Sequence, residues 1–324
     1  MSNIPWTNKY RPIYLDDIVG QDHVIYLLKC ILRNKNLPHL ILHGSSGTGK
    51  TTAIIAMSNS LFGKSIVNDR VKVFNASDER GISMVRNKIV SFVKMAVAYK
   101  DNVPLYKLII LEESDTMTME SQYVLRKVME DYSHLTRFCF VCNYVNQITP
   151  PIASRCIKIK FNKLNNDNIS KYVLEIAKKE NIHNYINDNI IQSICKLADG
   201  DMRVAIMSLY NLKYMVNTRS KQLFMNIITN TYIDKIYYEL KHNTLDNSKI
   251  SLILSTTIVN HGHVIKNVIK LLIHKLIYDD VVDDVVKVNV SRKVGNIYPK
   301  LYDRSNEYVQ LMYVLMLIRC QIYT

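Results

Sequence analysis

The chain has 324 residues, 48% of them hydrophobic, with only nine glycines and seven prolines, which exceeds one ordinary compact domain and excludes a disordered or fibrous protein. Lysine and arginine outnumber aspartate and glutamate by 42 to 28, and the formal charge of +14 favours a polyanionic partner, nucleic acid first. The charged start MSNIPWTNKYRP has no apolar signal core, and the longest apolar stretch, around Val314–Ile318, is far short of the ~18 residues a bilayer span needs. A soluble intracellular protein with no membrane partner is therefore expected.

Along the chain, short apolar runs at His39–His43, Val71–Asn75, Lys107–Leu111, Arg137–Cys142 and Cys156–Phe161 alternate with helical patterns at Thr51–Phe62, Ile82–Ala98 and Met119–Tyr132. Such alternation predicts a parallel sheet covered by helices on both faces. After Phe161 the strand signal fades. Asn165–Asn168 reads as a polar link, and helices are expected at Ile169–Glu180, Asp188–Ala198 and Met202–Met215, with Gly200 stopping one and Asp201 capping the next. From about Thr231 onward, Leu, Ile, Val and Tyr stripes predict a helical bundle, serving either a private core or a partner's helices. Three domains are expected: 1–163, 164–228 and 229–324.

GSSGTGKT at 44–51 lies between an apolar run and a helix pattern, which is the context a phosphate-binding P-loop requires. Gly44, Gly47 and Gly49 allow the backbone N–H groups to turn toward phosphate oxygens. The helix that follows adds its positive end. Lys50 suits the β- and γ-phosphates of ATP, and the Thr51 hydroxyl suits Mg²⁺. The apolar run Lys107–Leu111 ends in two adjacent carboxylates. Glu112 is expected to hold the metal, and Glu113 to orient and deprotonate the attacking water.

Two weaker signals are set aside. Cys139-x-x-Cys142 lies on a strand, where an offset of three sends the side chains to opposite faces, and no second Cys/His pair follows at zinc spacing. His261-x-His263 is an equally poor metal signal. Six cysteines fit a reducing compartment.

Taken together, these residues resemble the small subunits of replication factor C, sliding-clamp loaders among the AAA+ ATPases, over nearly all of residues 1–215 and less clearly beyond. Trp6-Thr-Asn-Lys-Tyr-Arg-Pro12 resembles the family's N-terminal signature, and Leu37-Pro-His-Leu40 its approach to the P-loop. Asn75-Ala-Ser-Asp-Glu-Arg-Gly-Ile82, Thr136-Arg-Phe-Cys-Phe-Val-Cys-Asn-Tyr144, Ser154-Arg-Cys156 and Gly200-Asp-Met-Arg203 follow in the family's order. The resemblance implies an α/β P-loop AAA+ domain, a helical lid and a C-terminal helical collar. It implies nucleotide contacts from Arg11, Val19, Gly44, Ser45, Ser46, Gly47, Thr48, Gly49, Lys50, Thr51, Thr52, Asn143 and Arg203. Asn143 would be a sensor near the γ-phosphate, Arg203 a second sensor on the lid, and Arg155 a finger reaching the ATP of the neighbouring subunit. Arg80, Ser83 and Arg86 would track the DNA backbone without reading bases.

The implied partners are other loader subunits in a hetero-oligomer, a pentamer by analogy, together with a ring-shaped clamp and primer–template DNA in replication and repair. A structural, ATP-binding but non-hydrolysing subunit is the alternative, and a branch-migration helicase a third reading. The resemblance implies a nuclear protein in a cellular eukaryote, or a cytoplasmic replication site for a large DNA virus. Three departures stand out. Ser45-Ser46 replaces the family's usual Pro-Pro, with a modest effect expected on nucleotide affinity. Glu112 replaces Asp; the extra methylene is expected to slow hydrolysis while binding survives, because magnesium demands near-octahedral geometry. Ser114 replaces the common Ala, with little effect expected.

Overall fold

Five parallel strands form one sheet in the order β2-β3-β4-β1-β5: β1 Leu40–Gly44, β2 Val71–Asn75, β3 Lys107–Glu112, β4 Thr136–Cys142 and β5 Ile157–Phe161. The computed structural model describes residues 4–34, 36–63, 66–77, 88–97, 99, 103–216, 230–242, 249–250, 252–253, 265–297 and 306–323. The chain divides into two compact units, Met1–Lys213 and Tyr214–Thr324.

Side chains alternate across the sheet because a strand repeats every two residues. Leu40, Leu42, Leu108, Ile110, Cys139 and Val141 pack in one core, and Ile41, Ile109, Leu111, Phe138, Phe140 and Cys142 in another. The central strands read as unbroken apolar runs since both faces are covered. At the edge, β5 keeps Lys158 and Lys160 exposed beside buried Ile159 and Phe161, a charge pattern that discourages pairing with another chain. Cys139 and Cys142 thus face opposite sides, as their spacing requires.

The helices of this unit are α1 Trp6–Lys9, α2 Asp22–Asn34, α3 Lys50–Phe62, α4 Val67–Arg70, α5 Val90–Lys94, α6 Met119–Asp131, α7 Pro150–Ala153, α8 Asn166–Lys179, α9 Asp188–Ala198 and α10 Met202–Val216. Helices α8 to α10 build their own core around Ile169, Val173, Ile194, Ala205 and Leu209. The expected α/β P-loop domain followed by a helical bundle is therefore present.

Some expectations need correction. Asn165–Asn168 is no link: Asn165 precedes the first residue of α8, and the polar run is the helix's solvated first turn. Cys156 falls just before β5. The described part of the Ile82–Ala98 helix stops at Lys94, where Met95 turns extended at ψ 137°. Lys107 explains that stop. It is 2% exposed, and its ammonium donates to the carbonyls of Phe92 at 2.5 Å and of Met95, closing the helix end. Segment 78–87, with Arg80, Ser83 and Arg86, lies outside the described residues, as do His261 and His263.

In the second unit, α11 Asn230–Lys241, α12 Ile265–Ile277, α13 Asp284–Ile297 and α14 Glu307–Tyr323 bury Leu240, Val268, Leu272, Val290, Val314 and Ile318 completely. The apolar stripes therefore build a private core. Among the described residues, no helix is long and apolar enough to cross a membrane.

Candidate active site

Three adjacent strands, β3, β4 and β1, end side by side, and ligand sites in open parallel sheets lie beyond such carboxyl ends. These ends carry Glu112-Glu113, Asn143 and the P-loop, respectively. Together with the N-terminal segment and the helix that begins at Met202, they enclose a cavity of about 560 Å³. Its wall includes Arg11, Val19, Ser46, Gly47, Thr48, Gly49, Lys50, Thr51, Thr52, Glu112, Glu113, Asn143 and Arg203.

The P-loop takes its shape from positive-φ glycines. Gly44 sits at φ 142°, where an added Cβ would lie 2.2 Å from the Phe161 carbonyl oxygen. Gly47 sits at φ 64°, and its added Cβ would strike the Asp201 carboxylate at 1.7 Å. Gly49 begins α3 in the left-handed region, and no side chain caps that end, so its amide donors suit an anion. Gly44 and Ser45 do not line the cavity. Their carbonyls instead accept from the Lys50 ammonium, each at 2.8 Å, and Asn143 Oδ1 accepts from it at 3.0 Å.

Three cations share this wall. Burial lowers the pKa of Lys50, and nearby Arg203 adds to the effect against Cys142, Asp115 and Asp201. Burial likewise lowers that of Arg11, with Glu112 opposing and Arg203 reinforcing. Arg11 donates through Nε to Thr52 Oγ1 at 3.2 Å. Among the described residues none of the three makes an ion pair. A multiply charged anion is the ligand that such a set stabilises.

The acidic side is equally ordered. Glu112 closes β3, and Glu113 is held at φ 50°, a left-handed conformation costly for a residue with a Cβ. Asp115 accepts from the backbone N–H groups of Asn143 and Tyr144 at 3.0 and 3.2 Å, fixing the turn that carries Asn143. The wholly buried Ser114 hydroxyl donates to the Val141 carbonyl at 3.1 Å, tying this turn to β4. The Thr51 hydroxyl and the Glu112 carboxylate are hard oxygen donors on one cavity, a set that fits Mg²⁺.

Arg155 is not on this cavity. It follows α7 at the surface, donating to the Pro151 carbonyl at 2.7 Å and to Glu130 at 2.5 Å.

Several contributors escaped the sequence reading. Gln21 is 4% exposed and donates to the Asn162 carbonyl at 2.8 Å and to Thr48 of the P-loop at 3.4 Å. Asp201 does more than cap α10: besides accepting from the Arg203 N–H at 2.8 Å, it accepts from the Ser46 hydroxyl at 2.6 Å. The Met202 N–H donates to the Gly47 carbonyl at 3.1 Å. Tyr10, Tyr172, Met202 and Ile206 give the cavity an apolar side. Only the resemblance of Gly200-Asp-Met-Arg203 to the family's second sensor hinted that this helix faces the P-loop.

Comparison with known proteins decides the family. Subunit 2 of replication factor C from Saccharomyces cerevisiae is 34% identical over 331 residues, covering 97% of this chain and 92% of its own. Subunit 4 from Homo sapiens is 33% identical, covering 95% and 86%. The chain belongs to the replication factor C small-subunit family. Residues 20–165 also match the family described as the delta subunit of DNA polymerase III. Among solved structures, the RuvB Holliday junction branch migration motor of Thermotoga maritima superposes with a TM-score of 0.54 at 16% identity, over 81% of this chain and 85% of that one. That likeness is one of fold.

Proposed function

We propose that this replication factor C chain binds ATP with Mg²⁺ in the cavity between its P-loop and α10. It would hydrolyse that ATP within a clamp loader that opens a ring-shaped clamp and places it on primer–template DNA. The observation that carries the reading is the convergence of Arg11, Lys50 and Arg203 with Glu112, Glu113 and Asn143 on one cavity. The N-terminal segment and the lid would hold the base and sugar. The P-loop amides and Lys50 would hold the phosphates, and Thr51 and Glu112 the metal. When bound, Mg²⁺ neutralises developing phosphate charge.

Glu113 takes a proton from the attacking water, and Asn143 orients that water beside the γ-phosphate. Arg203 ties the lid to the same phosphate, so that ATP draws the sheet domain and the lid together. Arg155, at the surface and away from its own cavity, serves a neighbour's phosphate with its planar fork. Arg80, Ser83 and Arg86 contact the DNA backbone. The three-domain division at 163 and 228 and the collar's part in assembly belong to this reading, as does residence wherever the genome is replicated.

The alternative is a chain that holds ATP without hydrolysing it, favoured by Glu112 in place of the shorter acid. Titration with ATP tests the shared part. Wild type is expected to bind and Lys50→Ala to lose binding, and a wild-type chain without affinity for ATP overturns both readings.

A further inference from the structure

The start of the N-terminal segment, Trp6 to Tyr10, packs with the lid, while Leu15 and Ile18 further on join the core on one face of the sheet. Trp6 is 5% exposed and belongs to the core of α8, α9 and α10. Its ring meets Tyr210 edge-on at 5.1 Å and Tyr10 at 5.8 Å, and the Lys213 ammonium lies 5.2 Å over it.

At the centre of this contact is Glu180, directly after α8, with a side chain only 8% exposed. Its Oε1 accepts from Lys9 at 2.5 Å and from the Tyr10 hydroxyl, and its Oε2 accepts from Lys213 on α10 at 2.7 Å. The Tyr172 hydroxyl of α8 donates to the Tyr10 carbonyl at 2.5 Å. Burial alone would raise the Glu180 pKa, yet the donors Lys213, Lys9 and Tyr10 outweigh it and hold it at about 2, so the clasp is ionised.

The next residues, Arg11 and Pro12, wall the cavity, and Arg11 reaches Thr52 in α3. One carboxylate thus joins the segment bearing Arg11 to the two helices on either side of the one that precedes Asp201 and Arg203.

We infer that Glu180 is a positioning residue for the nucleotide site: by clasping Lys9, Tyr10 and Lys213 it makes the N-terminal segment and the lid one body, so that Arg11 and Arg203 close on nucleotide together. The inference rests on the nucleotide reading above. Without the clasp, the segment would leave the lid part of the time, and a site complete only for a fraction of molecules loses apparent affinity by that fraction.

The test uses the full chain, ADP as the probe, and the chain's single tryptophan, Trp6, as a reporter. Glu180→Gln leaves Lys9 and Lys213, 49% and 41% exposed, able to stay solvated, so folding is retained. Lys9→Gln opens the same clasp from the solvent side. Asp279→Asn removes a comparable carboxylate in the second unit, where Tyr237 and Lys241 donate to it.

Both clasp variants are expected to raise the Kd for ADP by about three- to tenfold and to make Trp6 more quenchable by acrylamide. Asp279→Asn should change neither. If wild type binds ADP while Glu180→Gln and Lys9→Gln keep wild-type Kd and quenching, the inference is overturned. A wild type that fails to bind ADP marks failure of the nucleotide reading instead, and removes this inference with it. The wild-type titration alone tells the two failures apart.

Discussion

Replacing Ser46 by Ala removes one hydroxyl and with it a direct bond between P-loop and lid. Its Oγ donates to Asp201 Oδ2 at 2.6 Å, while Oδ1 of the same carboxylate caps α10 through Arg203 and Val204. A hydrogen bond to a charged group contributes about 1.5–3 kcal/mol when buried, but Ser46 is exposed and its acceptor stays hydrated. About 1 kcal/mol is the appropriate figure, roughly a fivefold shift away from the state in which lid and P-loop touch. Asp201→Ala loses the same bond plus the cap, costing about 2 kcal/mol in all.

The assay is a double-mutant cycle on urea unfolding with Ser46→Ala, Asp201→Ala and the pair. The expected coupling is about 1 kcal/mol. A coupling below about 0.3 kcal/mol, the ordinary scatter for independent sites, refutes the claim that the two side chains form a latch. Ser45→Pro/Ser46→Pro acts on the same latch. It also stiffens a loop whose glycines and Lys50 stay in place, so nucleotide affinity is expected to change only modestly, and a large tightening would show that loop rigidity matters more than argued.

Other residues give further expected outcomes. Glu112→Asp should raise ATP turnover by about tenfold with unchanged ATP affinity if the longer side chain misplaces its carboxylate; equal turnover in a reconstituted loader would show that it is tolerated. Lys107→Met leaves the end of α5 without its buried donor and should cost roughly 2 kcal/mol in urea unfolding, where a neutral result would discount the capping role. The Glu180 pKa is lowered on folding to about 2, so its contribution to stability is complete above the ordinary carboxylate pKa of 4.5 and is lost as pH falls through that value toward 2. The stability gap between wild type and Glu180→Gln should accordingly narrow as acid is added in thermal melts, and a constant gap contradicts the ionised clasp. Arg155→Ala should leave this chain's own ATP affinity unchanged while slowing turnover of the assembled loader. Weakened binding to the isolated chain would place that arginine in its own site.

The central strands were legible because parallel strands buried on both faces are nearly continuous apolar runs. The P-loop was legible because its chemistry is local: glycines, Lys50 and Thr51 act within eight residues. Glu112 and Glu113 could be picked out because they end a strand that the apolar pattern already fixed, whereas Asn143 was pointed to by the family resemblance alone. What stayed hidden joins distant segments. Ser46 and Asp201 are 155 positions apart, and Lys9 and Glu180 are 171 apart. No local period marks such pairs, and Trp6 gave no sign that its ring completes the core of a bundle beginning some 160 residues later. Asn165–Asn168 misled for a related reason. Polarity marks solvent exposure, and a helix's first turn is as exposed as a loop. The bond from the buried Ser114 hydroxyl to the Val141 carbonyl likewise left no mark in the sequence.

The most direct test of the account is ATP turnover by the reconstituted loader, with and without clamp and primed DNA, comparing this chain with its Glu113→Gln form. The account predicts that clamp and primed DNA stimulate turnover and that Glu113→Gln in this chain lowers it. Stimulation left unchanged by the substitution would contradict hydrolysis at this site and leave a chain that holds nucleotide while Arg155 serves its neighbour.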